Sequence, residues 1–464
     1  MRKASASAGK RGVRNAFATA LSLAAVSGIA AAVGVVVARE FGRGPETDGF
    51  FAAYAVFLVL SLIGTALRIV VLPALARADE LEAETGAWAA ALAVAAVPVL
   101  LLALVAREPL AHALGLDGAA SDAAADALPW MAVAGIAQVY AGLAASALAA
   151  RDDYVTAAVG YAIGAVAGLA LILWRLDDGI VAVAWGVALN GAVSLAVPLV
   201  RVRLRLGNPG ARLVALARGA ALPLVLQALY LVCVRFAAGL GPGEVSDLSY
   251  AYLIASALVA VTASSLALVS SVPLTRADLD AVRHVVSASW LSLVVVAAAA
   301  GVFALAGGDL VRLVLGDAYG GDLGRLVVAL APWMAISVGA SLAYPLVFVR
   351  GRPRGLLRLS LAALVVHPFV VWAGREAWGA VGIALALALT TALVLVALLA
   401  SLGALRAFEG LAVAVLTVTA LGAAAFGLGV WAGPLVGLAV YAALLLLLRP
   451  PGLRSAWRYV RALS

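Results

Sequence analysis

Charge is what this sequence has least of. Asp, Glu, Lys and Arg make up only 12% of its 464 residues, against 65% hydrophobic residues and a mean hydropathy of +1.10. Soluble domains carry roughly 25% charged residues, so no set of water-soluble globules fits this composition. The single cysteine, Cys233, excludes a disulfide framework and a thiolate cluster. Three histidines, His112, His284 and His367, lie far apart and show no metal-ligand spacing, so neither a metal nor a cofactor is expected. Of the two lysines, Lys3 lacks preceding glycines and Gly9-Lys10 runs into Arg11, which excludes ATP hydrolysis through a Walker A loop. The deep apolar runs also lack carboxylates: all 24 acidic residues fall in loops or at the ends of the runs.

What the chain does have is apolar length. A membrane-spanning helix needs ~20 mainly apolar residues, and fourteen such segments can be placed, at about 15–38, 49–76, 87–106, 125–150, 154–174, 179–200, 220–240, 248–273, 285–306, 327–349, 356–374, 378–401, 409–431 and 434–448. The expected fold is an all-α polytopic membrane protein. The apolar run from Asn15 to Ala38 is longer than the apolar stretch of a signal peptide and is read as the first span.

The formal charge of +8 invites a nucleic-acid reading until the charges are located. With a cytoplasmic N-terminus, most basic residues fall on the inner side, among them Arg2, Lys3, Lys10, Arg11, Arg77, Arg151, Arg201, Arg205, Arg276, Arg350, Arg406 and Arg458. The positive-inside rule produces this asymmetry. Both termini are therefore expected in the cytoplasm, with membrane lipids rather than nucleic acid as the partner of the basic segments.

Laid over itself at an offset of roughly 200, the chain repeats. Pro129-Trp130-Met131-Ala132 returns as Pro332-Trp333-Met334-Ala335, and Leu72-Pro73 with Arg77-Ala78-Asp79 returns as Val272-Pro273 with Arg276-Ala277-Asp278. Gly44-Pro45 with Asp48 corresponds to Gly241-Pro242 with Asp247, Leu110 to Gly115 corresponds to Leu310 to Gly316, and Gly179 and Gly379 open the sixth and twelfth spans. This predicts two six-helix lobes in parallel repeat, 15–200 and 220–401, around a cavity. Residues 1–14 form an N-terminal tail, 201–219 an interfacial linker, 402–448 two additional helices and 449–464 a basic tail. The linker alternates arginine with leucine and valine, which suits either an interfacial helix or a basic loop that only fixes topology.

Ala38-Arg39-Glu40-Phe41-Gly42-Arg43-Gly44, Thr47-Asp48-Gly49-Phe50-Phe51 and the helix ending Leu72-Pro73-Ala74-Leu75 resemble the first two helices of the lipid II flippase family, MurJ, within the multidrug/oligosaccharidyl-lipid/polysaccharide exporter superfamily. The architecture of two six-helix lobes plus two helices is similar to that family's. The resemblance implies a monomeric flippase of the bacterial cytoplasmic membrane, not an enzyme. It would carry a polyprenyl-diphosphate-linked saccharide to the outer leaflet by alternating access, for peptidoglycan or surface-polysaccharide synthesis. The first span has no arginine before Arg39, where that family's first helix is arginine-rich, so an exopolysaccharide or teichoic-type unit stands beside lipid II.

Charged groups within spans are costly and mark functional candidates. Arg68 and Arg235 fall within spans, and Arg39 is the approximate repeat counterpart of Arg235. Guanidinium groups offer paired donors to phosphate oxygens. Tyr54, Ser61, Thr65 and Arg68 share one helical stripe, Gln227 lies two turns from Arg235, and Gln138 lies in the fourth span. The expected substrate site therefore draws on Arg68, Arg235, Arg39, Gln227, Gln138, Thr65 and Ser61. His367 before Pro368 is read as a satisfied core histidine at a break in the eleventh span, and Gly160, Gly164 and Gly168 as a packing stripe. No residue identifies a coupling ion. A multidrug cation antiporter of the same superfamily is the alternative, although its cation would normally need a membrane carboxylate.

Overall fold

The computed structural model describes residues 22, 25–205, 207–264, 281–349 and 355–463. Among them there is no strand. In hydrocarbon every backbone N–H and C=O must be satisfied within its own segment, and helices satisfy that condition one by one. The order is α1 (25–40), α2 (Pro45–Leu75), α3 (Leu81–Val105), α4 (Arg107–Ala113), α5 (Gly118–Ala149), α6 (Tyr154–Trp174), α7 (Val181–Leu199), α8 (Gly210–Ala237) and α9 (Glu244–Val259). Then follow α10 (Ala281–Leu315), α11 (Gly321–Ala329), α12 (Ala331–Val349), α13 (Leu356–Ser401), α14 (Arg406–Ala432), α15 (Pro434–Leu448) and α16 (Pro451–Leu463). The chain divides into two compact units, Met1–Leu231 and Val232–Ser464.

Eleven helices among the described residues are long and apolar enough to cross a membrane, twelve if the bent pair α15 and α16 is one span. The protein is a multi-pass membrane protein. The count differs from the fourteen expected for identifiable reasons. α1 is described continuously only from residue 25, and α15 has 15 residues, fewer than the ~20 a span needs. The 46-residue α13 counts once although it folds back on itself. Trp378 (φ −142°, ψ 20°) and Gly379 (φ 57°, ψ −134°) leave helical geometry, and a Cβ built on Gly382 would overlap the carbonyl oxygen of Gly374. Eight residues of straight helix span about 12 Å, so that contact requires a tight reversal at Gly379.

Small residues set the helix seams. In the first unit α2 and α5 run parallel: a Cβ on Gly49 would overlap the Ala120 carbonyl, one on Gly64 would sit 3.2 Å from the Gln138 oxygen, and one on Gly142 would sit 3.0 Å from the Gly64 oxygen. Below that crossing, Val71, Leu75, Trp88, Leu92, Val139, Leu143 and Ala147 form a buried cluster shared with α3. The Gly160, Gly164 and Gly168 stripe of α6 packs on α7, where a Cβ at Gly168 would lie 2.6 Å from the Gly186 oxygen and one at Gly164 2.7 Å from the Asn190 oxygen. Close backbone approach of this kind is how helices associate without a hydrophobic drive in lipid. Gly164→Val is expected to destabilise the protein by about 1–3 kcal/mol through overpacking, seen as a lower thermal midpoint in detergent. An unchanged midpoint would mean the stripe does not carry this contact.

One local expectation is corrected, and one open alternative is narrowed. Pro368 does not break its helix: within α13 only Trp378 and Gly379 depart from helical torsions, and the break falls at the glycine that can adopt positive φ. The basic linker is not one interfacial helix, since 202–205 and 207–209 carry no helical turn and helix begins at Gly210. Gly207, Asn208 and Pro209 favour turns over helix, and the Asn208 side-chain oxygen accepts the Gly210 N–H at 3.0 Å to start α8. The glycines that pair across the sequence repeat also pair in torsion: Gly115 and Gly316 have φ 81° and 97°, Gly179 and Gly379 have φ 83° and 57°.

Candidate functional site

The α2–α5 seam gathers four of the seven site positions read from the sequence. Ser61 lies three residues before Gly64, Thr65 directly after it and Arg68 one turn beyond, while Gln138 is the α5 residue whose backbone carbonyl backs Gly64. The Ser61 hydroxyl donates to the Leu58 carbonyl at 3.1 Å, and the Gln138 side chain is half-buried. The side chains of Thr65 and Arg68 lie outside the described residues. Arg68 stands seven residues before the end of α2, about 10 Å of helical rise from it.

The other three positions lie elsewhere. Arg39 is exposed in the last turn of α1, and Arg235 is exposed in the last turn of α8. Both sit where the helix C-terminal dipole favours a cation, rather than deep in an apolar run. Gln227 is buried in α8, eight residues before Arg235. The seven positions are thus four along one helix seam, one buried amide and two cationic helix ends. The only ionisable groups among them are guanidiniums, which suits anionic, hydrogen-bonding cargo.

Three polar clusters lie away from the seam, and in one of them His367 is the satisfied core histidine that its sequence context suggested. Asp48 and Asp247, partners in the repeat, are 4% and 3% exposed in the opening turns of α2 and α9, where helix N–H groups favour a negative charge. The signal was the shared Gly-Pro turn that precedes each. His367 is fully buried between two hydroxyl- and thiol-bearing partners, with Nδ1 2.8 Å from the Thr390 hydroxyl and Nε2 3.4 Å from the Cys233 sulfur. Thr390 donates to the Ala386 carbonyl at 3.1 Å, so it accepts from Nδ1–H and leaves Nε2 to accept from the thiol. Among the described residues no group of three or more His, Cys, Asp and Glu is placed to hold a metal ion.

A third cluster fastens the linker to the first unit. The Arg205 N–H donates to the Glu82 carbonyl at 3.2 Å, and Gly207 lies so close to α3 that a Cβ would be 2.6 Å from the Ala83 oxygen. Arg212 and Trp88 both donate to Glu84, the latter at 2.9 Å. Arg205 with Glu80 (3.3 Å) and Arg151 with Glu82 (3.6 Å) are largely solvent-exposed pairs and contribute at most about 1 kcal/mol each. The backbone bond and the half-buried Glu84 pair therefore do most of the fastening. The Glu84 contact lifts the Arg212 guanidinium above its ordinary value. Partial burial pushes the Asp153 carboxyl up, but the Thr156 hydroxyl and N–H and the Arg201 guanidinium outweigh it, so Asp153 titrates below the usual carboxylate range. A depressed folded-state value stabilises the protein above the unfolded value of about 3.9 and loses that contribution as pH falls through the folded value. Asp153→Asn should therefore lower the thermal midpoint at pH 7 and flatten its fall below about pH 4; parallel curves for the two proteins would exclude this role.

No family model matches the chain, and no curated protein sequence is similar to it. Solved structures are. The lipid II flippase MurJ in an inward closed conformation superposes with a TM-score of 0.75 at 14% identity, covering 94% of this chain and 99% of that one. The chain shares the fold of that structure. An inward-facing multidrug resistance MATE family transporter of the multidrug/oligosaccharidyl-lipid/polysaccharide exporter superfamily follows with a TM-score of 0.65, 14% identity and coverage of 83% and 94%. An exporter-superfamily transporter from Pyrococcus furiosus, described by the reverse polarity of its binding pocket, gives 0.56 and 14%, covering 87% and 96%. The likeness of fold thus extends over most of the chain.

Proposed function

We propose that this protein is a flippase moving a polyprenyl-diphosphate-linked saccharide from the inner to the outer leaflet of a bacterial cytoplasmic membrane. It acts as a monomeric carrier, not an enzyme, by alternating access of two six-helix lobes within a fourteen-span topology with both termini inside. The observation that carries the reading is the likeness to lipid II flippase MurJ, with a TM-score of 0.75 over 94% of the chain, against 0.65 over 83% for the MATE transporter. Charge placement supports it. Among the described residues the deepest carboxylate, Asp126, lies nine residues into α5 but is exposed and paired with Arg107, whereas the sequence around Arg68, seven residues before the end of α2, is apolar. A sugar diphosphate cannot cross hydrocarbon unaided, and guanidinium donors replace part of its hydration. The proposed ligands are Arg68, Thr65, Ser61 and Gln138 along one seam, with Arg39, Arg235 and Gln227 at other depths.

The test is reconstitution with a panel of fluorescent polyprenyl-diphosphate saccharides, measuring exposure in the outer leaflet with and without an imposed potential. The proposal expects at least one to be flipped. Export of an organic cation with none flipped would replace it with the multidrug antiporter, the second reading that the MATE likeness favours. The topology has its own check: cysteines substituted at Arg43 and Arg205 should label from opposite sides of the membrane, and labelling from the same side would overturn it.

A further inference from the structure

α15 ends where the sequence compels it to. Pro450 and Pro451 have no N–H to donate, and a residue before proline is held out of the right-handed helical region. Arg449 accordingly sits at φ 43°, ψ 63°, and the axis bends by 85° into α16. One stripe of α16 is docked. Ala456 is fully buried, Leu453 packs against the cluster of Trp290, Leu293, Ala414 and Val418, and Gly452 abuts the Trp290 ring. The Tyr459 hydroxyl lies 2.7 Å from His284 Nδ1. These partners lie within the first thirteen residues of α10 and of α14, two helices apolar and long enough to span. α16 therefore packs alongside the ends of spanning helices and does not trail beyond them.

The opposite face is cationic. At about 100° per residue, Arg454 and Arg458 point some 160–200° away from Ala456, and both are exposed. Trp457, 52% exposed, flanks them, and Arg283 is exposed beside Tyr459. From Arg449 to Ser464 there is no acidic residue. A short basic helix turned across its preceding span, with tryptophan at its flank, has the composition that seats in the head-group layer.

We propose that the Arg454–Arg458 face of α16, with Trp457, is a binding site for anionic phospholipid head groups. The site is separate from whatever the protein transports, so its test does not require transport. Full-length protein carrying Ser455→Cys is labelled with an environment-sensitive fluorophore; the native Cys233 is buried. Short-chain phosphatidylglycerol is titrated into the detergent-solubilised protein, with short-chain phosphatidylcholine, inorganic phosphate and polyglutamate as parallel titrants. Phosphatidylglycerol is expected to bind and phosphatidylcholine not. Each arginine near an anionic surface is worth about fivefold in affinity, so Arg454→Gln with Arg458→Gln should weaken binding about 25-fold. Both residues lie off the docked stripe, and an unchanged probe spectrum without lipid will show that the helix stays docked. Undiminished phosphatidylglycerol binding by the double variant overturns the proposal. So does a response to phosphate or polyglutamate that phosphatidylglycerol fails to produce.

Discussion

Arg68→Ala is expected to slow saccharide flipping sharply while leaving the protein inserted and stable. Removing a charge from a spanning helix makes insertion easier, because a guanidinium there costs a few kcal/mol on insertion scales. Transport, in contrast, loses a charge-assisted hydrogen bond to phosphate, worth about 1.5–3 kcal/mol, or roughly a tenfold to hundredfold drop in rate at limiting substrate. Lysine at the same position should restore part of the rate, since a point charge lacks the planar pair of donors. Arg235, exposed in the final turn of α8, should matter less on its own. The measurement is the initial flipping rate in vesicles at matched protein content. Full activity in the Arg68→Ala protein would remove Arg68 from the site and leave the fold assignment intact.

Gly382→Leu is expected to be among the most damaging single substitutions for folding. A Cβ there would overlap the Gly374 carbonyl oxygen and stand 3.1 Å from the Gly374 α-carbon. Both atoms belong to backbone, so no side chain can rotate away. The cost should exceed the 1–3 kcal/mol typical of overpacking a core, because relief requires the two arms of α13 to separate. Little monodisperse protein should be recovered in detergent. Gly427, around which a Cβ would meet nothing within 4 Å, supplies the control: Gly427→Leu should purify normally. A Gly382→Leu protein with a wild-type thermal midpoint would mean that residues 356–401 do not form a hairpin.

Much of the architecture was legible because lipid leaves few choices. Runs such as Tyr154–Trp174 and Arg406–Ala432 have no stable form in hydrocarbon other than helix, and glycines shared by the two halves marked turns that do adopt positive φ. The hairpin at Gly379 was also readable, as the opening of a span. Less was legible where the answer depends on which neighbour arrives. Pro368 suggested a break, yet the helix runs on through it and reverses ten residues later. The linker's alternating arginines matched an amphipathic pattern, but Arg205 and Arg212 are held by Glu82 and Glu84, more than a hundred residues earlier. α16 read as a tail because its apolar stripe is short and its burial comes from Trp290 and Ala414, remote in sequence. The candidate site was legible as a set of residue types. Its division into a seam on α2 and α5 and two exposed helix ends depends on tertiary packing that no local pattern encodes.

The burial of Cys233 against His367 has a practical consequence. A maleimide applied to intact cells needs an accessible thiolate, and the native chain presents none, its one sulfur being enclosed and hydrogen-bonded. The wild-type protein is therefore its own blank in any labelling experiment, and introduced cysteines can be read singly against zero background. A reporter thiol placed on each lobe can follow conformational cycling without a cysteine-free parent and without disturbing the core contact that a Cys233 replacement would remove.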